Sequence, residues 1–203
     1  MAGLIKHLAK KGEHVKLIVL ESRPMFEGVA FVNTLLSLFR SDSDVLTGLK
    51  IDIVSDASIA AVVKSADYFV FGGDKVLPNG DVSNKIGSLT AAVVAKSLNP
   101  ACKVVALFGT EKVTSSGFDS EHQSIEYNDE AEVTDAWPFK YINELDEKKE
   151  HGFQIEVKNA YFEWVPANYI DVYVSEIGLL SKEDIARLGQ ETKELEERIF
   201  KDL

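Results

Sequence analysis

The sequence predicts an α/β fold, a parallel sheet with helices on both faces. Residues 15–20, apolar but for Lys16, and the continuous apolar runs 68–71 and 104–108 are of the kind that strands buried on both faces require. Stretches with helical apolar spacing separate them, the alternation that builds parallel sheets. Finally, Glu21-Ser22-Arg23-Pro24, Asp56, Gly72-Gly73-Asp74 and Gly109-Thr110-Glu111-Lys112 each follow directly on a strand, at the end where such sheets hold ligands.

In chain order, residues 2–12 read as a short helix with Leu4, Ile5 and Leu8 on its apolar face and Gly12 as its stop. The first strand, 15–20, turns at Pro24 into a helix over 26–39, where Val29, Val32, Leu35, Leu36 and Phe39 repeat at helical spacing. Residues 41–48 read as a polar loop, 49–54 as a second strand, and 56–64 as a short helix capped by Asp56 or Ser58. The third strand is 68–71. A helix over 86–98 stops at Asn99-Pro100, and the fourth strand ends at Gly109. Residues 113–152 are acid-rich and read as a solvated insertion of irregular structure, docked at most by Trp137-Pro138-Phe139 and Tyr141. Residues 154–161 resume as strand, 162–167 turn around Pro166, and 170–174 form the last buried strand. Ser181 and Asp184 have the form of a capping box for a final helix. Along it Ile185, Leu188, Thr192, Leu195 and Ile199 would make a seam against the sheet.

At 203 residues and 45% apolar, the chain can bury a full core, and 1–203 reads as a single domain carrying the 113–152 insertion. A net charge of -11 argues against a nucleic-acid footprint while leaving room for a basic protein partner. One cysteine, Cys102, argues against a disulfide framework and reads as a packing residue. The absence of any apolar run near ~18 residues argues against a membrane span, and the start is too polar for a signal peptide. A cytoplasmic setting is the simple reading. His7, His14, His122 and His151 lack metal-ligand spacing, so no metal is expected, and no cofactor. A dinucleotide fingerprint is missing after the first strand, where Glu21-Ser22-Arg23-Pro24 stands.

The stretch from Tyr68 to Ser88 concentrates the chemistry. Asn79-Gly80 favours a two-residue hairpin turn, which would pair Leu77 with Val82, Asp74 with Lys85 and Lys75 with Asn84. Asn84 could then cap the helix that follows, whose unpaired amides and positive dipole end suit a phosphate. An acid, an ammonium group and an anion-friendly helix end would meet there. Spacing alone leaves two readings open, a ligand site and a cross-strand ion pair at a sheet edge with glycines serving the turn.

These residues also carry a resemblance. Gly72-Gly73-Asp74-Lys75-Val76 with Asn79-Gly80-Asp81-Val82-Ser83-Asn84-Lys85-Ile86-Gly87-Ser88 is similar to the "GADRI..NGDVxNKIGT" signature of one superfamily. It joins the alpha, beta and delta regulatory subunits of eukaryotic translation initiation factor 2B to methylthioribose-1-phosphate isomerase and ribose-1,5-bisphosphate isomerase. Glu21-Ser22-Arg23-Pro24 resembles the family's "ETRP", and Asp56-Ala57-Ser58-Ile59-Ala60-Ala61 its "DSAAGY". Asn159-Ala160-Tyr161-Phe162-Glu163-Trp164-Val165-Pro166 with Glu176-Ile177-Gly178 resembles "NPAFDVTP...TExG".

The resemblance implies a Rossmann-like C-terminal domain. It implies that Asp74 shuttles protons between C1 and C2 of a phosphorylated aldose if the chain belongs to an isomerase, a task suited to a carboxyl that desolvation raises and Lys85 lowers. It also implies that Arg23 or its neighbourhood, Asn84 and Lys85 hold the sugar phosphate. With their place after the strands, Glu21, Asp56, Gly72 and Gly73 join them as ligand-binding candidates. Lys75 stands where the family has arginine, which loses bidentate phosphate geometry. The family's upstream helical domain and its "TxCN" cysteine have no counterpart in these residues, so turnover is not expected of the chain as given. Retention of Asp74, Asn84 and Lys85 sets it apart from the beta and delta subunits. The favoured expectation is a regulatory or assembly domain that forms a homodimer, or pairs with related initiation-factor-2B-like subunits, and binds a sugar phosphate or nucleotide monophosphate. The alternatives are the C-terminal half of an aldose–ketose isomerase and a scaffold with a vestigial pocket.

Overall fold

The computed structural model describes residues 1–115, 125–150, 152 and 154–201. Helix α1 (Ala2–Lys10) precedes β1 (Val15–Leu20), α2 (Glu27–Phe39), α3 (Ser43–Gly48) and β2 (Leu49–Val54). Next come α4 (Ile59–Val62), β3 (Tyr68–Gly72), β4 (Lys75–Val76), β5 (Val82–Lys85), α5 (Ser88–Leu98) and β6 (Lys103–Leu107). The chain continues through β7 (Glu126–Asn128), α6 (Ala131–Thr134), α7 (Phe139–Glu150), β8 (Asn159–Val165), β9 (Val172–Ser175), β10 (Gly178–Leu180) and α8 (Lys182–Ile199).

Strands β1 and β2 pair in parallel from Val15↔Leu49 to Leu20↔Val54. A second sheet has the order β10-β9-β6-β3 and is parallel except for the β10–β9 edge. These mostly parallel strands, flanked by helices, give the α/β fold expected from the sequence. A third sheet, β4-β5-β8-β7, is antiparallel throughout: the expected hairpin supplies β4 and β5, and β8 and β7 extend it beyond what the sequence predicts.

Among the described residues, two buried clusters hold the fold. The larger joins Phe71, Val104, Ala106 and Tyr173 of the second sheet to Ala92 and Ala95 of α5 and Ile185 of α8. Cys102 lies in it, fully buried, and burial pushes its thiol above the ordinary value. The smaller joins Ile5, Leu35, Phe39 and Val45. Helix α2 starts hard against β1: a Cβ on Gly28 would stand 1.9 Å from the Leu20 carbonyl oxygen, so only glycine permits this approach.

Several local expectations give way to tertiary contacts. Residues 43–48 are helical rather than looped, because Val45, 3% exposed, anchors that turn into the smaller cluster. On α1, Ile5 is buried but Leu4 faces out at 54% exposure. The hairpin is longer than two residues: Val76 pairs with Val82 and Lys75 with Ser83, one step away from the expected register. Asn79 drives the change, its side-chain oxygen accepting from Asp81 N–H at 2.9 Å while Leu77 N–H bonds the Asp81 carbonyl.

The 113–152 segment is also more regular than expected in its described part. It carries β7, α6 and α7, and buried Asn159 ties it down by donating to the Asp129 carbonyl at 2.8 Å and to Glu132 Oε2 at 2.7 Å. Tyr141 is 47% exposed and so is no deep anchor, and the Phe139 side chain lies outside the description. Residues 162–165, expected to turn, continue β8; the turn is confined to Ala167–Tyr169. The Ser181–Asp184 capping box forms as expected. Its helix docks as far as Thr192, whose hydroxyl donates to the Val113 carbonyl at 3.4 Å: Ile185 is fully buried, whereas Leu195 and Ile199 are 45% and 59% exposed.

Candidate functional site

Where β1, β3 and β5 end, the chain leaves a cavity of about 370 Å³ lined by Ser22, Glu27, Asp74, Asn84, Lys85, Tyr161 and Phe162. Ser22 comes from the turn after β1, where it takes a left-handed backbone, φ 61, and Glu27 is the first residue of α2. Asp74 follows β3, and Asp74 N–H donates to the Ser83 carbonyl at 2.9 Å, which continues the β4–β5 ladder. Lys85 ends β5 opposite Phe162, and Asn84 stands opposite Glu163. The one-step register change therefore alters the partners of Asp74 and Lys85 without separating them: both reach the same cavity.

Lys85 Nζ lies 2.7 Å from Glu27 Oε1 and 3.4 Å from the centre of the Tyr161 ring. The contact with Glu27 is close but not aligned as a hydrogen bond, so Lys85 Nζ is a buried nitrogen without a hydrogen-bond partner among the described residues. Tyr161 and Phe162 meet edge to face, ring centres 4.8 Å apart. Asp74 is exposed, and its carboxylate has no partner among the described residues.

The helix end next to the cavity is already capped. Helix α5 begins at Ser88 after Gly87, and Glu163 Oε1 accepts from Gly87 N–H at 2.6 Å and Leu89 N–H at 3.0 Å. Asn84 does not cap it; its amide donates to Ser88 Oγ at 2.7 Å. An anion does sit at this positive helix end, as the physics requires, but it is the chain's own carboxylate reaching from β8.

The remaining candidates take other positions. Asp56 faces the turn after β1, Oδ1 accepting from Ser22 N–H at 2.9 Å and Oδ2 from Arg23 N–H at 2.8 Å; it makes no cap for the helix after it. Glu21 pairs with Arg23 at 2.8 Å, and the Arg23 guanidinium lies over the Phe26 ring at 4.9 Å. Neither side chain lines the cavity. Gly72 ends β3 beside Asn84, and Gly73 is crowded by Phe108 and Val82. On the rim beyond β6, Glu176 accepts from the Thr110 hydroxyl and N–H, and the hydroxyl above all holds its carboxyl below the usual range.

Glu27, Tyr161, Phe162 and the capping Glu163 escaped the sequence reading. Their signals were present: an acid in the first turn of a helix directly after Glu21-Ser22-Arg23-Pro24, and the Tyr161-Phe162-Glu163 run, which reads as a turn only if Pro166 is allowed to end the strand early. A second hollow, about 430 Å³, lies at the opposite ends of β3 and β6, among Lys64, Asp67, Tyr68, Asn99 and Lys103. Asn99 there serves the fold, donating to the Val63 and Ala66 carbonyls at 2.9 Å each. No group of three or more His, Cys, Asp or Glu among the described residues could hold a metal, and no described helix is long and apolar enough to cross a membrane. His122 and His151 lie outside the described residues.

The model of the initiation factor 2 subunit family matches residues 1–182. The chain belongs to that family. It is 30% identical over 178 residues to a ribose 1,5-bisphosphate isomerase of Thermococcus kodakarensis, covering 88% of this chain and 49% of that protein. It is 25% identical over 179 residues to translation initiation factor eIF2B subunit alpha of Dictyostelium discoideum, covering 88% and 51%. The fold superposes on 5-methylthioribose 1-phosphate isomerase from Pyrococcus horikoshii OT3 with a TM-score of 0.66 at 21% identity, over 95% of this chain and 49% of that one. The chain thus spans about half the length of the curated relatives it matches.

Proposed function

We propose that this chain is an initiation-factor-2B-like regulatory or assembly domain that binds a sugar phosphate or nucleoside monophosphate at the Asp74–Asn84–Lys85 cavity. The observation that carries the reading is the buried Lys85 ammonium, short of hydrogen-bond acceptors, in a cavity it shares with a free carboxylate and two aromatic rings. An ammonium makes a point-charge contact to phosphate, the Asp74 carboxylate and the Asn84 amide suit sugar hydroxyls, and aromatic faces suit the apolar face of a sugar or a base. In this reading the domain works in the cytoplasm, pairing with a second copy or a related subunit, which sedimentation of the purified chain would show as a species of twice the monomer mass.

Thermal shift with ribose 5-phosphate, methylthioribose 1-phosphate and AMP tests the site. A ligand at 100 times its Kd stabilises by about 2.7 kcal/mol, a rise of several degrees, and the Asp74→Ala/Lys85→Ala double variant is expected to lose it. Flat melting curves with all three ligands would leave the scaffold reading in place. The free, exposed Asp74 carboxylate favours a second reading, the C-terminal half of an aldose–ketose isomerase. Conversion of methylthioribose 1-phosphate or ribose 1,5-bisphosphate that disappears in Asp74→Asn would support it.

A further inference from the structure

Glu27 and Asp74 bring two carboxylates to the cavity and Lys85 one ammonium, so the pocket as folded repels the anions that its lysine should attract. The lysine is moreover screened, since Glu27 Oε1 stands 2.7 Å from Nζ. That pairing is a poor one. It is not aligned as a hydrogen bond, and a buried ammonium has three donors to satisfy. The two partners differ in freedom: the Lys85 side chain is 13% exposed and rooted in a strand, whereas that of Glu27 is 47% exposed on the first turn of α2. Turned outward, Glu27 would still lie at a positive helix end and near Ser22 Oγ, which now donates to its Oε2 at 3.1 Å.

We propose that Glu27 is a displaceable internal anion, holding the place on Lys85 that the anionic group of a ligand takes and swinging into solvent when a phosphomonoester enters. The inference rests on the reading of this cavity as a site for phosphorylated ligands. It makes Glu27 a specificity-determining residue. A neutral sugar cannot displace a carboxylate from an ammonium, whereas a phosphate dianion with several acceptor oxygens can. The closed pair lowers apparent affinity by the fraction of molecules in which the lysine is free, so removing the carboxylate should return that factor.

The test is calorimetric titration of the purified chain with ribose 5-phosphate, and with ribose as the neutral control, at one fixed salt concentration. Glu27→Gln is expected to tighten ribose 5-phosphate about tenfold and leave ribose unchanged, a shift of ~1.4 kcal/mol. Glu27→Asp, which keeps the charge but shortens its reach, should tighten it to a lesser degree, and stands in should Glu27→Gln fold poorly. Glu111→Gln removes one charge outside the cavity and should change nothing. Equal Kd values for wild type and both Glu27 variants, with Lys85→Met weakening all of them, would overturn the displaceable anion and leave the site standing. Equal tightening by Glu111→Gln would reduce the effect to net charge and overturn it too. If ribose 5-phosphate binds neither wild type nor any Glu27 variant, both the site and the inference fall.

Discussion

Asp56 commits both carboxylate oxygens to the turn after β1, at 2.9 Å from Ser22 N and 2.8 Å from Arg23 N. Charge-assisted bonds of this type contribute about 1.5–3 kcal/mol each when buried and less when half exposed. Asp56→Ala is therefore expected to lower unfolding free energy by about 2 kcal/mol in urea, with Asp56→Asn losing less because one acceptor survives. Because Ser22 lines the cavity, ribose 5-phosphate binding should weaken in step. A variant as stable as wild type would show that the turn holds itself. The pairing of an acid after one strand with amides after another is not readable from spacing, which offers Asp56 equally as a cap or a ligand group. What spacing does place is the Asp74, Asn84 and Lys85 set, since one short hairpin carries all three. Glu27 and Tyr161 reach the same cavity from positions 58 residues before and 76 after Lys85, and nothing local announces that meeting.

At the level of elements, contacts from distant strands decide what local propensity leaves open. Strands β1 and β2 lie where their apolar residues put them, and their parallel pairing from Val15↔Leu49 to Leu20↔Val54 fixes both boundaries together. The hairpin between β4 and β5 differs, since its tip is gripped from outside: Tyr173 Oη donates to the Gly80 carbonyl at 2.8 Å, and Asp81 Oδ1 accepts from Ala167 N–H at 2.7 Å. Gly80, at φ +90, has no room for a Cβ, which would meet that phenol oxygen at 2.8 Å. Tyr173 is the residue to probe. Burial, and then the nearby Asp81 charge, push its phenol well above the ordinary 10.0, so the folded state keeps the neutral form. A group with a raised folded pKa lends its full stability below the unfolded value and loses it above. Wild-type stability should thus fall from about pH 10 upward by up to ~1.4 kcal/mol per pH unit from this group, and Tyr173→Phe should lose that component of the slope. At neutral pH Tyr173→Phe should cost about 1–3 kcal/mol, the penalty of an orphaned buried carbonyl. Parallel alkaline profiles for the two proteins would refute the assignment.

Across the whole molecule, the two apolar clusters divide the labour on either side of the cavity. Ser22 and Glu27 belong to the half built on β1, β2 and the Ile5–Leu35–Phe39–Val45 cluster; Asp74, Asn84, Lys85, Tyr161 and Phe162 belong to the half built on the larger one. The Glu27–Lys85 pair crosses between them, whereas Asp56 and Arg23 bond within the first half. Such an arrangement should open locally before it unfolds globally. Phe39, 0% exposed, fills the centre of the smaller cluster, and Phe39→Ala should remove about 3–5 kcal/mol there. Native-state hydrogen exchange is expected to show the loss in the amides of β1, β2 and α2, while those of β3 and β6 keep wild-type protection. A ligand that bridges the halves would then restore protection on the weakened side, because binding free energy adds to whatever state holds the cavity shut. Uniform loss of protection across both sheets in Phe39→Ala would mean that the clusters unfold as one unit, and that the cavity lies within a single cooperative core rather than at a seam that a ligand closes.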